Sequence, residues 1–277
     1  MSRDNDKPTS VQASASTRPP PLETRASANG EGPETLANIT ARILDRIAQT
    51  PPEEREKLAA EAAERDRQEL ARRRKMAFDD LIAKAGARYR HARLETFAVS
   101  CPEQSTVLER LKEYATAIGD HVARGAGVVL FGPSGSGKDH FLVGLAWRAI
   151  DRDLSVGWLN GQDLFASFRD AIGADQSEGR LIARATAPQI LVISDPAPPR
   201  GELTDFQVNT LYRVVDHRYR NGRATWASIN VESREKAEQR LSVPVIDRLT
   251  DGAVALWCGW PSFRKPAGSE PKRGAGA

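Results

Sequence analysis

A single segment, residues 127–139, constrains the fold of this chain more than any other. It reads Gly-Val-Val-Leu-Phe-Gly-Pro-Ser-Gly-Ser-Gly-Lys-Asp, an apolar run followed by a glycine-rich loop that ends in lysine. Gly132, Gly137 and Lys138 stand at the G-x-x-x-x-G-K spacing of phosphate-binding loops. Glycines let successive backbone N–H groups turn toward phosphate oxygens, and the lysine adds a mobile positive charge. The spacing predicts a phosphate-binding loop between a strand and a helix.

The residues around this loop support binding of a nucleoside triphosphate. Val128–Phe131 read as a buried strand, and apolar residues recur at helical spacing after the loop. A glycine-rich turn without function is the alternative, and it does not account for strand, lysine and helix in that order. The residues that we expect to bind the nucleotide are Gly132, Pro133, Ser134, Gly135, Ser136, Gly137, Lys138, Asp139 and His140.

Asp139 departs from the usual loop pattern. Most phosphate-binding loops carry serine or threonine here, and its hydroxyl binds Mg²⁺. A carboxylate is a stronger metal ligand, but it also places negative charge beside the triphosphate, which weakens binding unless a metal compensates. We therefore expect nucleotide binding together with Mg²⁺, and slow or absent hydrolysis.

Length and composition limit the other possibilities. The chain has 277 residues, enough for one α/β domain of about 170 residues and an appended segment. A net charge of +3 is too small to identify a nucleic-acid-binding protein by itself. Cys101 and Cys258 lie far apart without metal-ligand spacing, so neither a disulfide framework nor a zinc site is expected. The sequence shows no membrane-spanning run and no signal core, which predicts a cytoplasmic protein without membrane contact.

The chain divides into four predicted parts. Residues 1–33 are rich in Ser, Pro, Thr and Ala and predict a disordered leader, and residues 266–277 predict a disordered tail. Residues 34–86 predict a helical partner-binding segment, and residues 87–265 a phosphate-loop domain. The alternative for residues 34–86 is a solvated helical connector.

Within the helical segment, two features suggest contacts. Leu36, Ile39, Ile43 and Ile47 form an apolar stripe at helical spacing, which favours a protein partner. A second, very polar helix is expected from Glu53 to about Lys84. Its basic run, residues 72–75, contacts nucleic acid in one interpretation and is a solvated face in the other.

Strand and helix patterns alternate along residues 87–265, which predicts an α/β fold with a parallel sheet flanked by helices. Ligands of such sheets bind at the carboxyl ends of the strands. The expected strands are 128–131, 155–159, 190–193, 224–229 and 254–258, and the expected helices are 105–124, 162–172, 178–186, 205–219 and 233–240.

The predicted strand 190–193 leads into Ser194 and Asp195. Phosphate-loop enzymes carry an acidic residue here for the magnesium shell, and many carry a second one that orients the attacking water. If the strand ends one residue after Ile193, Ser194 takes the metal position and Asp195 the water position. If the register slips by one residue, Asp195 serves the metal and no base remains. Asp195 as a loop-capping residue is a third possibility.

Two further polar residues are candidates for the reaction. Asn230 follows the strand 224–229, where an amide can hold the attacking water, although turn formation is the alternative. Arg248 either reaches the γ-phosphate of a neighbouring subunit or pairs internally with Asp247 or Asp251. Arg264 is a weaker candidate for a phosphate-sensing cation. The predicted catalytic residues are Asp195, Asn230 and Arg248, and the predicted metal ligands are Asp139 and Asp195.

These landmarks, in order, resemble the AAA+ ATPases of the DnaC/IstB group, which includes bacterial helicase loaders and the ATP-binding subunits of certain transposons. The resemblance covers about two-thirds of the chain. It is carried by residues 87–97, 132–142, 191–195, 216–219, 225–230, 240–249 and 262–264. It implies an AAA+ phosphate-loop domain that binds ATP.

The resemblance also implies roles and partners. Gly132, Gly135, Gly137 and Lys138 would hold phosphates, Asn230 would be the sensor asparagine and Arg248 the arginine finger of a neighbouring protomer. The preferred hypothesis is a DnaC-like loader that forms an ATP-bound homo-oligomer on single-stranded DNA and recruits a replicative DnaB-type helicase. The alternatives are an IstB-like ATPase that acts on duplex DNA with a transposase, and a hydrolysis-deficient nucleotide-binding adaptor.

Overall fold

The computed structural model describes residues 35–173, 177–198 and 201–264. The predicted disordered leader, residues 1–33, and the predicted disordered tail, residues 266–277, lie outside the described residues. The chain divides into two compact units, with the boundary between Ala62 and Ala63. No helix within the described ranges is long and apolar enough to cross a membrane.

The first unit contains the helix α1 (Leu36–Gln49) and the beginning of the helix α2 (Pro52–Ala85). Both predicted helices are therefore present. α2 begins with a proline, whose fixed φ suits the first helical turn, and Glu53 and Glu54 follow at the positive end of the helix dipole. On α1, Leu36 is 83% exposed and Ile39 is half-buried.

The second unit is built on a five-stranded sheet. The strands are β1 (Val128–Gly132), β2 (Val156–Asn160), β3 (Ile190–Ser194), β4 (Ala224–Asn230) and β5 (Val254–Trp257). Their order in the sheet is β2-β3-β4-β1-β5, and every pair is parallel, so the prediction of a parallel sheet is confirmed. β1 and β3 begin with four consecutive apolar residues, as expected for strands covered on both faces.

Helices cover both faces of this sheet. Val128 and Leu130 of β1 belong to the core on one face, whereas Val129 and Phe131 belong to the core on the other. The first core contains the end of α2, α3 (Pro102–Thr116), α4 (Ile118–Ala123) and α5 (Lys138–Asp151). The second contains α6 (Gly161–Gly173), α7 (Glu178–Thr186), α8 (Asp205–Arg220), α9 (Arg234–Leu241) and α10 (Val243–Thr250).

The basic run on α2 is largely paired. Arg73 lies 2.9 Å from Glu69, Lys75 lies 2.8 Å from Asp79, and Arg74 lies 2.9 Å from Asp153. Such exposed pairs contribute less than about 1 kcal/mol each. The arrangement supports the interpretation of this run as a solvated, ion-paired face.

One prediction of secondary structure is wrong, and one helix was not predicted. The expected helix 105–124 is two helices, α3 and α4, because the chain leaves helical geometry at Ala117. α10 was not among the expected helices, and Pro244 stands at its second position. Proline is tolerated in the first turn of a helix, where its missing N–H would have no partner in any case.

Candidate nucleotide-binding site

The predicted phosphate loop joins the last residue of β1, Gly132, to the first residue of α5, Lys138. Gly132, Gly135 and Gly137 have φ angles of 140°, 84° and 89°, which side chains rarely tolerate. A Cβ at Gly132 would lie 2.4 Å from the carbonyl oxygen of Cys258. The glycines are therefore required by the turn and by its close packing.

Lys138 holds the loop together from the inside. Its Nζ donates hydrogen bonds to the carbonyl oxygens of Gly132 (2.8 Å) and Pro133 (2.7 Å) and to the Ser136 hydroxyl (3.3 Å). The side chain is only 4% exposed, and burial lowers the pKa of its amine. The loop thus presents a buried positive charge at the start of α5.

A cavity of about 530 Å³ opens beside this loop at the carboxyl edge of the sheet, as predicted for ligands of parallel sheets. Its volume lies within the usual range for small-molecule sites, about 300–1,000 Å³. One side is formed by the loop and the strand ends, and the other by residues before β1 and after β5. The lining includes Arg88, Tyr89, Phe97, Asn160, Ser194, Asp195, Ser228, Asn230, Phe263 and Arg264.

The nine residues predicted to bind nucleotide are divided by the structure. Ser134, Gly135, Gly137, Lys138, Asp139 and His140 line the cavity, whereas Gly132, Pro133 and Ser136 do not. Ser136 is buried, and its hydroxyl donates to the carbonyl of Pro133. Ser136 and Pro133 therefore stabilise the loop from the side that faces away from the cavity.

His140 lines the cavity but is held by the segment before β1. Its Nε2 lies 2.9 Å from the carbonyl oxygen of Arg93, and its ring packs edge-on against Phe97. Because a carbonyl only accepts, Nε2 carries the proton in this contact. Burial lowers the pKa of His140, which favours the neutral ring.

Asp139 and Ser194 are hydrogen-bonded to each other. The Ser194 hydroxyl donates to Oδ1 and Oδ2 of Asp139 at 3.1 Å each. Ser228 donates to Oδ1 at 2.6 Å, and it lies beside Ser194 in the register of β3 and β4. β3 ends at Ser194, so the first of the two predicted registers is the one observed.

Asp195 follows the strand end in an unusual conformation. Its φ is 45°, and its Oδ1 is buried without a hydrogen-bond partner. Burial raises the pKa of its carboxyl group, Asn230 acts in the opposite direction, and the charge of Asp139 raises it again. A carboxylate with an unpartnered buried oxygen beside a cavity is typical of a functional site.

Asn230 is the last residue of β4 and pairs with Gly132 of the phosphate loop. Its carbonyl oxygen accepts a hydrogen bond of 2.9 Å from Arg240, and it lines the cavity near Asp195. The predicted sites Lys138, Asp139, Asp195 and Asn230 are thus brought together.

Arg248 lies apart from this cluster. It is on α10 and does not line the cavity of its own chain. Its Nε donates to Asp216 at 2.9 Å and its Nη2 to the Tyr212 hydroxyl at 3.0 Å. The prediction that an internal partner would be Asp247 or Asp251 is wrong, because α8 supplies the acid.

In the segment after β5, sequence reasoning identified Arg264 but missed the contacts of Trp260 and Phe263 with the phosphate loop. The Trp260 indole donates to the carbonyl of Ser136 at 2.7 Å, and the Phe263 N–H donates to the carbonyl of Gly135 at 2.9 Å. Arg264, predicted only as a weak candidate, reaches the Ser134 hydroxyl at 3.2 Å. This segment therefore supports the phosphate loop from outside.

The donors at the loop fit Mg²⁺. This ion is usually held in nucleotide sites by one or two carboxylates together with phosphate oxygens and water. The Asp139 carboxylate is fixed by two hydroxyl donors at the start of α5. Among the described residues, no three His, Cys, Asp or Glu side chains converge to form a metal cluster of their own.

Solved structures of other proteins share the fold. The DnaC helicase loader aligns with a TM-score of 0.56 and 18% identity, over 62% of this chain and 99% of that chain. DnaI aligns with a TM-score of 0.51 and 14% identity, over 65% of this chain and 94% of that chain. At such identities the likeness concerns the fold alone, and it agrees with the predicted α/β fold of a parallel sheet flanked by helices.

Sequence comparison gives a relative and a family. A Sinorhizobium fredii protein, provisionally named an insertion sequence ATP-binding protein, is 26% identical over 188 residues, or 66% of this chain. The chain spans 61% of that relative's length. Residues 57–269 match the family described as IstB-like ATP binding protein. The match covers more than half of the sequence and includes the whole cavity, so the chain belongs to the IstB-like ATP binding protein family.

Proposed function

We propose that this protein is an ATP-dependent AAA+ protein that binds duplex DNA and works with a transposase. The observation that carries the proposal is the family match over residues 57–269, which spans the phosphate loop and every cavity residue. The relative named for an insertion sequence supports the same role. This is the alternative hypothesis of the sequence analysis, and the family match and the name of the relative both support it.

The residues of the cavity support ATP binding in a specific way. The Lys138 ammonium exchanges its contacts with Gly132 and Pro133 for β- and γ-phosphate oxygens. The N–H groups of the loop and the N-terminus of α5 supply further positive potential. Bound Mg²⁺ would neutralise phosphate charge, and the Asp139 carboxylate is the group placed to hold it.

Asp195 and Asn230 are the proposed groups for hydrolysis. Asp195 has a free, buried carboxylate oxygen, and Asn230 lies beside it at the same edge of the sheet. A carboxylate with a raised pKa accepts a proton from water more readily than an ordinary one. The unpartnered oxygen therefore supports Asp195 as the group that orients water.

Arg248 is proposed to act between copies of the chain. Its side chain is 25% exposed, so part of it faces outward although Asp216 holds the guanidinium. To contact a neighbour's γ-phosphate, it has to leave Asp216. Asp216→Asn should therefore increase turnover of the assembled protein, whereas Arg248→Ala should abolish it, since arginine fingers contribute about 10³-fold or more.

Helicase loading remains the second candidate, because the fold likeness to the DnaC helicase loader covers 99% of that chain. A loader prefers single-stranded DNA, whereas a transposition ATPase prefers duplex DNA. The two candidates therefore differ in a binding property that is measured directly.

The test is fluorescence anisotropy with a labelled duplex and a labelled single strand of equal length, at matched ionic strength because phosphate contacts depend on salt. With a non-hydrolysed ATP analogue we expect tighter binding to the duplex, by about tenfold, or about 1.4 kcal/mol. Lys138→Met should remove the nucleotide dependence, and Lys112→Met, an exposed lysine on α3, should keep it. Preference for the single strand would support the loader, and no DNA binding in any nucleotide state would contradict both.

A further inference from the structure

Two departures from the phosphate-loop pattern meet in one hydrogen bond. In the usual pattern, a hydroxyl residue follows the lysine and an acidic residue ends another strand of the sheet, and both serve Mg²⁺. Here the acid, Asp139, follows the lysine, and the hydroxyl residue, Ser194, ends the strand β3. The Ser194 hydroxyl donates to both oxygens of Asp139 at 3.1 Å. The two groups have exchanged places and are hydrogen-bonded to each other.

An exchange of the carboxylate and the hydroxyl between positions 139 and 194 has different consequences from the loss of each group. The pair still contains one carboxylate and one hydroxyl, so its charge is that of the usual pair. One carboxylate, together with phosphate oxygens and water, is an ordinary ligand set for Mg²⁺. The exchange therefore keeps one carboxylate for Mg²⁺, in agreement with the expectation that Asp139 is a metal ligand.

The Asp139 carboxylate is also held in a fixed position. Ser194 donates from β3 and Ser228 donates from β4, and these residues are direct neighbours in the register of the two strands. Two donors from different strands fix the orientation of a carboxylate more firmly than one. Asp195, the other acid of the cavity, has no such support for its Oδ1.

We infer that Asp139 is the carboxylate of a nucleotide-dependent Mg²⁺ site, with Ser194 and Ser228 as the positioning residues that hold it. The inference rests on the proposed function, because the metal is bound together with the nucleotide. The competing role for Asp139 is simple repulsion of phosphate. The two roles differ in sign: a metal ligand strengthens nucleotide binding in Mg²⁺, whereas a repelling charge weakens it in any buffer.

The first experiment measures the Kd of the full chain for a fluorescent, non-hydrolysed ATP analogue in Mg²⁺ and in EDTA. We expect binding to be tighter in Mg²⁺ by about tenfold or more. Asp139→Ala, which supplies no metal ligand in place of the carboxylate, should bring this ratio close to one and leave the affinity in EDTA equal or better. Asp205→Ala, which removes an exposed acid from the first turn of α8, should leave the ratio unchanged. Asp139→Asn serves as the second variant if Asp139→Ala lowers the melting temperature.

The second experiment reverses the exchange. Ser194→Asp alone places two carboxylates in contact, which weakens nucleotide binding in EDTA because both charges face the phosphates. The double variant Asp139→Ser, Ser194→Asp restores the usual order of acid and hydroxyl. Its Mg²⁺ ratio should return to within about threefold of the wild-type value and exceed that of Asp139→Ser. Electron paramagnetic resonance of Mn²⁺ with the nucleotide analogue counts the bound metal directly.

The outcomes separate the two levels of the proposal. Binding in EDTA with no gain from Mg²⁺, an unchanged ratio in Asp139→Ala, or a double variant no better than Asp139→Ser would each overturn the exchanged pair alone. No nucleotide binding in either buffer would overturn the proposed function, and the exchanged pair with it.

Discussion

A buried cation lies at each end of the strands, Arg218 at the amino ends and Lys138 at the carboxyl ends, and the surroundings of these two cations differ. Arg218 is fully buried near the amino ends of β3 and β4, and its guanidinium nitrogens all donate hydrogen bonds. Its guanidinium donates to the Thr225 hydroxyl and to the carbonyls of Ala185, Thr186, Pro188, Gln189 and Ala224. Burial lowers its pKa to about 9, which still leaves it charged at neutral pH. Arg218 connects the segment before β3 to β4.

Lys138, at the carboxyl edge, also donates to backbone carbonyls, but its surroundings are incomplete. A cavity of about 530 Å³ opens beside it, and the Oδ1 of Asp195 has no partner. A buried charge with all its hydrogen bonds made stabilises the fold, whereas one beside unpaired polar groups and open space is available to a ligand. The comparison predicts that a variant of Arg218 mainly lowers the stability of the fold, whereas a variant of Lys138 mainly lowers the affinity for ATP.

The largest effect is expected from Arg218→Met. The substitution leaves five carbonyls and one hydroxyl without their donor, and each unpaired buried group costs about 1–3 kcal/mol. We expect a loss of at least about 3 kcal/mol in the free energy of unfolding, measured by urea denaturation. Arg220→Met, an exposed neighbour on α8, should change it by less than about 0.5 kcal/mol. If Arg218→Met and Arg220→Met changed the free energy of unfolding equally, the proposed structural role of Arg218 would be contradicted.

Lys138→Met should have the opposite signature. We expect the affinity for ATP to fall by about 100-fold, equivalent to about 2.8 kcal/mol, because the phosphates lose their buried cation. The free energy of unfolding should change much less than in Arg218→Met, since three contacts within one loop are lost. Calorimetric titration and urea denaturation of the same preparation measure both quantities. A variant that unfolds but keeps its affinity would contradict the comparison.

Gly135→Ala tests how closely the segment after β5 packs on the loop. A Cβ at Gly135 would lie 2.0 Å from the Ser262 hydroxyl, and the φ of 84° adds backbone strain. Gly222 has a φ of 58° but open space around its Cβ position, so Gly222→Ala provides the strain alone, about 1 kcal/mol. We expect Gly135→Ala to weaken ATP binding by about tenfold, which corresponds to about 1.4 kcal/mol of binding free energy. Gly222→Ala should leave the affinity for ATP unchanged. Equal affinities in a titration would show that Ser262 moves aside without consequence.

The smallest effect is expected from Asp195→Asn. Asparagine tolerates a φ of 45° better than most residues and removes a buried, unpartnered charge. In EDTA at neutral pH the melting temperature should rise by about 2–4 °C. Because the folded state raises the pKa above 3.8, it binds more protons than the unfolded state, and wild-type stability falls as pH rises through that interval. The gain should therefore vanish below about pH 3.8, and a gain that persists there would refute this explanation.

Much of the sheet was predictable from the sequence. Strands such as Val128–Phe131 and Ile190–Ile193 are continuous apolar runs, because a parallel sheet is buried on both faces. α10 was not predictable by pattern, since Pro244 is read as a break unless the helix start is known. Arg218 lies in residues 216–219, which carry the family resemblance, but the sequence did not indicate its burial, because a charged residue on a helix normally faces solvent.

The residues of the candidate site were predictable from the sequence only where they belong to a recognisable motif. The loop spacing identified Lys138, and the strand end identified Asp195. Ser228 has no motif and is brought to Asp139 by the register of β4 against β3. The only sequence signal was a hydroxyl residue near the end of a buried strand. Asp139 and Ser194 are 55 positions apart, so only the structure shows that they are one hydrogen-bonded pair.

The most direct measurement is the melting temperature of the wild type, Lys138→Met and Arg218→Met with and without Mg²⁺ and ATP. A ligand at 100 times its Kd stabilises the folded state by about 2.7 kcal/mol, or roughly 5–10 °C for a domain of this size. ATP should raise the melting temperature of the wild type and of Arg218→Met by this amount, although the latter starts lower, and should leave Lys138→Met unchanged. A wild type that does not respond to ATP, or a response that survives in Lys138→Met, would contradict the assignment of the phosphate loop as the ATP site.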